Sequence, residues 1–78
     1  MREKKTYLVV TFYTTAGAMA MEREAAEANI PGRLISAPRQ LSSDCGIAFR
    51  TEPAYLEQLN TMIHRNDLEI EAIHTIEL

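Results

Sequence analysis

Apolar residues recur along this chain in two rhythms, and the switches between them mark out six elements. Thr6 to Tyr13 has the two-residue period of a strand, with Leu8, Val10 and Phe12 on one face and Tyr7, Val9 and Tyr13 on the other. Its β-branched and aromatic content suits a strand, and apolar residues on both faces predict a central place in a sheet. Ala16 to Asn29 is rich in alanine, methionine and glutamate, a helical composition. A threonine of the pair Thr14-Thr15 caps its start through the hydroxyl. Ala18, Met21, Ala25 and Ala28 form a stripe of mostly small residues that lets this helix lie close against a sheet. Asn29 is an acceptable C-cap, and Pro31-Gly32 stops the helix.

Arg33 to Ala37 is a short second strand around Leu34 and Ile35, Pro38 to Asp44 a polar loop, and Gly46 to Arg50 a third strand carrying Ile47 and Phe49. Thr51-Glu52-Pro53 opens a second helix, with proline in the first turn, where its missing N–H costs nothing. Leu56, Leu59 and Ile63 form its apolar stripe, joined by Tyr55 and Met62, and Asn66-Asp67 breaks it. Leu68, Ile70, Ala72, Ile76 and Leu78 then alternate with Glu69, Glu71 and Glu77, the pattern of a half-buried final strand.

The order βαββαβ predicts an α+β fold, a ferredoxin-like sandwich of one four-stranded antiparallel sheet with both helices on one face. The domain spans 6–78 behind a charged tail, 1–5. The first and third strands are expected at the centre and the second and last at the edges. Tyr7, Val9 and Ile73 are expected on the side away from the helices, where they suit a homodimer contact, since a small core and an exposed sheet are liabilities that pairing covers.

At 78 residues the chain has room for one domain. With 46% hydrophobic and 24% charged residues it is an ordinary globular sequence, which excludes disorder, collagen and coiled coil. The net charge of −3 argues against non-specific nucleic-acid binding, which needs a basic face. No apolar run approaches the roughly 20 residues that span a bilayer. The short run Tyr7-Leu8-Val9-Val10 is broken by threonines and makes a poor signal peptide. A cytoplasmic protein without nucleic-acid or membrane partners is therefore expected. The single cysteine excludes an internal disulfide and any two-thiolate metal site within one chain. In a reducing compartment it persists as a thiol.

Chemistry concentrates in Pro38-Arg39-Gln40-Leu41-Ser42-Ser43-Asp44-Cys45-Gly46, a polar loop ending in the only thiol and a glycine. Gly46 would let a second sulfur or a partner's backbone approach Cys45. A thiol gains nucleophilicity when a cation or a helix N-terminus favours its thiolate, a role open to Arg39 and opposed by Asp44. The plain alternative is a small buried core residue, as free cysteine often is. His64 and His74 lack metal-ligand spacing and read as surface or strand-edge histidines. The three tyrosines read as packing, and Glu22, Glu24 and Glu27 as a solvated helix face near Arg23. No phosphate loop, carboxylate dyad or Ser-His-Asp set is visible, and neither a metal nor a cofactor is implied.

The run Ala28-Asn29-Ile30-Pro31-Gly32-Arg33-Leu34-Ile35, followed by Pro38-Arg39, Ser42-Ser43 and Cys45-Gly46, resembles the putative selenium/sulfur (Se/S) carrier protein-like family. The likeness runs from about Tyr7 to about Ile73, and Asp44 stands where the family often has a small residue. The resemblance implies a carrier rather than a stand-alone enzyme. Cys45 would hold a persulfide or selenopersulfide, with Arg39, Ser42, Ser43 and Gly46 as loop support. The implied partners are a cysteine desulfurase or another sulfur or selenium donor, and an acceptor protein. The absence of a Cys-Pro-x-Pro motif separates the chain from the better-known sulfur-relay proteins. The competing reading is a small-ligand-binding, regulatory or adaptor module with an incidental cysteine, since this fold serves many functions.

Chain order adds one spatial expectation. Cys45 and the start of the first helix lie at the same end of the sheet, so Thr14, Thr15 and Gly17 are candidates for an anion site that favours a thiolate or a persulfide sulfur. His64 and Arg65 should approach that end, and His74 should lie far from it.

Overall fold

The alternating first segment becomes β1 (Thr6–Thr11), the partner of two other strands. In the computed structural model, which describes residues 4–41 and 43–78, it is followed by α1 (Thr15–Glu27), β2 (Arg33–Ser36) and β3 (Ile47–Thr51). A 3-10 turn (Pro53–Tyr55), α2 (Leu56–Arg65) and β4 (Ala72–Glu77) complete the chain. The four strands form one antiparallel sheet in the order β2-β3-β1-β4. The fold is α+β and ferredoxin-like, with β1 and β3 at the centre. The two-faced apolar pattern of β1 pointed there, because a central strand has neighbours on both edges, whose side chains help bury Val9 even on the helix-free face.

The core lies between the sheet and the helices. Leu8, Val10, Phe12 and Phe49 of the sheet layer meet Ala18, Met21 and Ala25 of α1 and Leu59 and Met62 of α2. Ala28, assigned to the stripe of α1, is exposed, and so is Leu56, at 42%. Ala28 is the C-cap of its helix and Leu56 the first residue of the other, so neither faces the layer beneath.

Both helices end in the same motif. Asn29 (φ 60°) and Asp67 (φ 51°) take left-handed conformations just past the C-caps. Ile30 and Leu68 donate back to the Ala25 and Ile63 carbonyls at 2.9 and 3.0 Å, and Asn29 and Asp67 to the Ala26 and His64 carbonyls at 3.2 and 3.3 Å. These are Schellman closures, and the apolar residue after each, Ile30 or Leu68, turns onto the core. Gly32 follows the first closure because nothing larger fits. A Cβ there would run into Phe49 Cζ and lie 2.7 Å from the Arg50 carbonyl oxygen. The Thr51 hydroxyl ties the same corner by donating to the Pro31 carbonyl at 2.5 Å.

The last strand departs from its expected form. It starts at Ala72, four residues after Leu68, and the chain bends at Glu71, whose N–H donates to the Thr11 carbonyl at 2.7 Å. The bend shifts the phase of the alternation. Leu68, Ile70 and Ile73 all pack on the core, whereas Ala72 and Ile76 lie on the helix-free face. Ile73 pairs with Val10, so its expected place away from the helices is corrected: opposed residues share a face, and Val10 is in the core. Tyr7 and Val9 do lie on the helix-free side. β1 ends two residues early, leaving Tyr13 51% exposed. Lys5, at the edge of the expected tail, exchanges backbone hydrogen bonds with Leu78.

Candidate functional site

The loop that carries Cys45 joins two adjacent antiparallel strands at one end of the sheet. Its base is closed by the Ala37 N–H, which donates to the Gly46 carbonyl at 2.9 Å. Near its start the Leu41 N–H donates to the Pro38 carbonyl at 3.0 Å, a tight turn that puts Arg39 and Gln40 at an exposed tip. Gly46 returns the chain to β3 with φ at +75°, a conformation that L side chains rarely adopt. Among the described residues, its chain neighbours aside, none stands within 4 Å of where its Cβ would be, so the space beside Gly46 is free of them.

Cys45 is half-buried and leans on the hydrophobic core. Its Sγ–H donates to the Ile47 carbonyl at 3.4 Å. The Ser43 hydroxyl lies 4.0 Å from the sulfur and donates to the same carbonyl at 3.5 Å. The thiol thus sits in a small polar notch at the edge of an apolar layer, and a modest rotation of its side chain would free it from the carbonyl. Asp44 is exposed. Ser42, named with Ser43 as loop support, lies outside the described residues. The Ile47 carbonyl was not a sequence candidate, because no residue type marks a backbone acceptor and the local conformation of the loop end places it.

The start of α1 lies at the same end of the sheet, since β1 ends where β3 begins, with Thr11 opposite Ala48. Thr14 is the N-cap, its hydroxyl accepting from the Gly17 N–H at 3.0 Å. That bond uses one of the free N–H groups counted toward an anion site and leaves those of Thr15 and Ala16. Gly17 serves packing as well. A Cβ on it would come 3.1 Å from the Glu69 carbonyl oxygen, so the α2–β4 connection passes directly against this turn.

His64 and Arg65 occupy the last turn of α2, both exposed. His74 is closer to this end than expected. Because β4 starts late, it is the third residue of the strand rather than the seventh, and its Nε2 lies 3.3 Å from the Thr11 hydroxyl. The face, rather than strand direction, separates it from the thiol. His74 pairs with Val9 on the helix-free side, whereas Cys45 leans on the core beneath the helices. A groove of about 480 Å³ lies elsewhere, between the end of α1 and α2, lined in part by Ile30, Met62 and Arg65.

Among the described residues no helix is long and apolar enough to cross a membrane. No curated protein and no solved structure significantly matches the chain. A family model does, over residues 7–75, which takes in both halves of the fold and the whole Cys45 loop. With nearly its full length matched, the chain belongs to the family described as putative Se/S carrier protein-like.

Proposed function

We propose that this protein is a sulfur or selenium carrier that loads one chalcogen atom on Cys45 and passes it to an acceptor. Membership of the Se/S carrier-like family is the observation that carries the reading, and it covers the loop in which the chain's single thiol stands. The loop geometry supports it. The sulfur lies at the boundary of the core, its hydrogen bonds are to one carbonyl and a nearby hydroxyl, and open space adjoins Gly46.

In the loading step the Cys45 thiolate attacks the terminal sulfur of a donor persulfide, such as that of a cysteine desulfurase. The Cys45–sulfur bond forms as the donor's S–S bond breaks, and the donor cysteine leaves with the electron pair and takes up a proton. The exchange moves a sulfane sulfur without net oxidation or reduction. Delivery repeats it with an acceptor thiol as the attacking group. Arg39, at the exposed loop tip, suits contact with the donor or acceptor, and the free N–H groups at the start of α1 suit the charge of a persulfide. The cytoplasm, where thiols stay reduced, is the compartment that fits this chemistry.

The competing reading, a ligand-binding or adaptor module with an incidental cysteine, has one observation in its favour. The S–H is engaged by a backbone carbonyl and the sulfur packs on the core, as in a structural cysteine. Intact-mass spectrometry after incubation with a cysteine desulfurase and cysteine separates the two. The carrier gains the mass of one sulfur atom, reductant removes it, and Cys45→Ser abolishes it. A protein that gains no mass while its thiol remains alkylatable is not a carrier of this kind.

A further inference from the structure

The helix-free face of the sheet carries a charge pattern unlike the rest of the chain. The net charge is −3, yet the strand positions on this face hold Arg33, Arg50 and His74 and no carboxylate. The register sets Arg33 directly opposite Arg50. Like charges directly opposed across an antiparallel pair are destabilising. The ion pairs formed among the described residues, Lys5 with Glu52 and Arg23 with Glu24, include neither arginine. Glu52 borders this corner, but Lys5 holds it at 3.3 Å. The Arg50 guanidinium is already ordered, stacked 4.5 Å from the centre of the Tyr7 ring. Beside the arginines the accessible apolar residues are the half-buried Ile35 and Ile76, while Val9 and Ala48 between them are already fully buried within the chain.

We infer that this face is a docking surface for an acidic segment of a partner protein, whose carboxylates sit by Arg33 and Arg50 while its apolar side chains cover Ile35 and Ile76. An ordered arginine beside an aromatic ring, with a second arginine opposite and half-buried isoleucines nearby, is the composition of an interface centre, and a carboxylate relieves the Arg–Arg repulsion. A second copy of the chain fits less well. A two-fold contact sets a surface against itself, and the strand positions of this one bring positive groups with no negative ones. Nucleic acid fits less well too, since the chain is acidic overall and the Tyr7 ring is stacked by Arg50 rather than open to a base. The surface is independent of Cys45, which lies at the other end of β2 and β3.

The test is amide chemical-shift mapping of the full chain, labelled with 15N, titrated with hexaglutamate. The expected result is a saturable shift confined to the helix-free side of the sheet, weakened by salt and absent with hexaglutamine. Arg33→Gln and Arg50→Gln each weaken it about tenfold, as for loss of a charge-assisted bond, with the spectrum otherwise native. Five results would overturn the proposal. They are no shift with hexaglutamate, shifts centred on another face, shifts unchanged in the double variant, equal binding of inorganic phosphate, and tighter binding of a single-stranded oligonucleotide. Shifts on this face that follow the protein's own concentration without peptide would assign it to a second copy instead.

Discussion

Replacing Gly32 with alanine tests the corner where the first helix returns to the sheet. The new methyl would lie 2.7 Å from the Arg50 carbonyl oxygen and 2.8 Å from Phe49 Cε2, and would overlap Phe49 Cζ. Neither neighbour yields easily. The carbonyl belongs to the backbone of a central strand, and the Phe49 ring is only 1% exposed in a close-packed core. Overpacking of this kind costs about 1–3 kcal/mol, offset by about 0.4–1 kcal/mol from the smaller entropy of the unfolded alanine chain. A net loss of about 1–2 kcal/mol lowers the melting temperature of a domain this size by roughly 5–15 °C. Thermal and urea unfolding followed by far-UV circular dichroism measure it. Gly46 supplies the control, because a Cβ there meets nothing within 4 Å among the described residues and its φ of +75° is what opposes a side chain. Asparagine, which tolerates the left-handed region, should be milder than alanine at position 46 and no better than alanine at 32. A Gly32→Ala protein that melts at the wild-type temperature would refute the close approach of this turn to β3.

Four further expectations follow from single contacts. Asn29→Gly and Asp67→Gly should each stabilise the fold by up to about 1 kcal/mol, since glycine relieves the left-handed strain at both helix ends; a lower melting point in both would count against the Schellman closures. Thr14→Ala should cost about 1 kcal/mol through the lost cap on the Gly17 N–H, with Thr14→Ser close to wild type in the same melts. Arg33→Gln should stabilise by about 0.2–1 kcal/mol by removing the opposed charge beside Arg50, and a loss of stability would mean that Arg33 already has a partner. Cys45→Ser should keep the native melting point within about 1 kcal/mol, because its hydroxyl can donate to the Ile47 carbonyl, while losing all sulfur loading in the mass assay.

Much of the fold was legible because its signals are local. The period of two in Thr6–Thr11, the helix composition between Thr15 and Glu27 and the proline at the second helix's entrance are each decided by neighbours along the chain. The loop around Cys45 was legible as well, since its glycine, serines and single thiol are chemical types written in the sequence. The final strand was not. Leu68 and Ile70 keep the alternation of a strand, but Leu68 is the residue after a helix closure, and both are held against the core without pairing. Apolar alternation has the same appearance whether hydrogen bonds to a neighbouring strand accompany it or not. One bend at Glu71 then moved Ile73 into the core and Ala72 and Ile76 to the other face. The tight seat of Gly32 under Phe49 and the opposition of Arg33 to Arg50 belong to the same class. Each depends on which residues the strand register sets face to face. The chain determines its elements through near neighbours, whereas these juxtapositions join residues 17 positions apart and exist only once the sheet has closed.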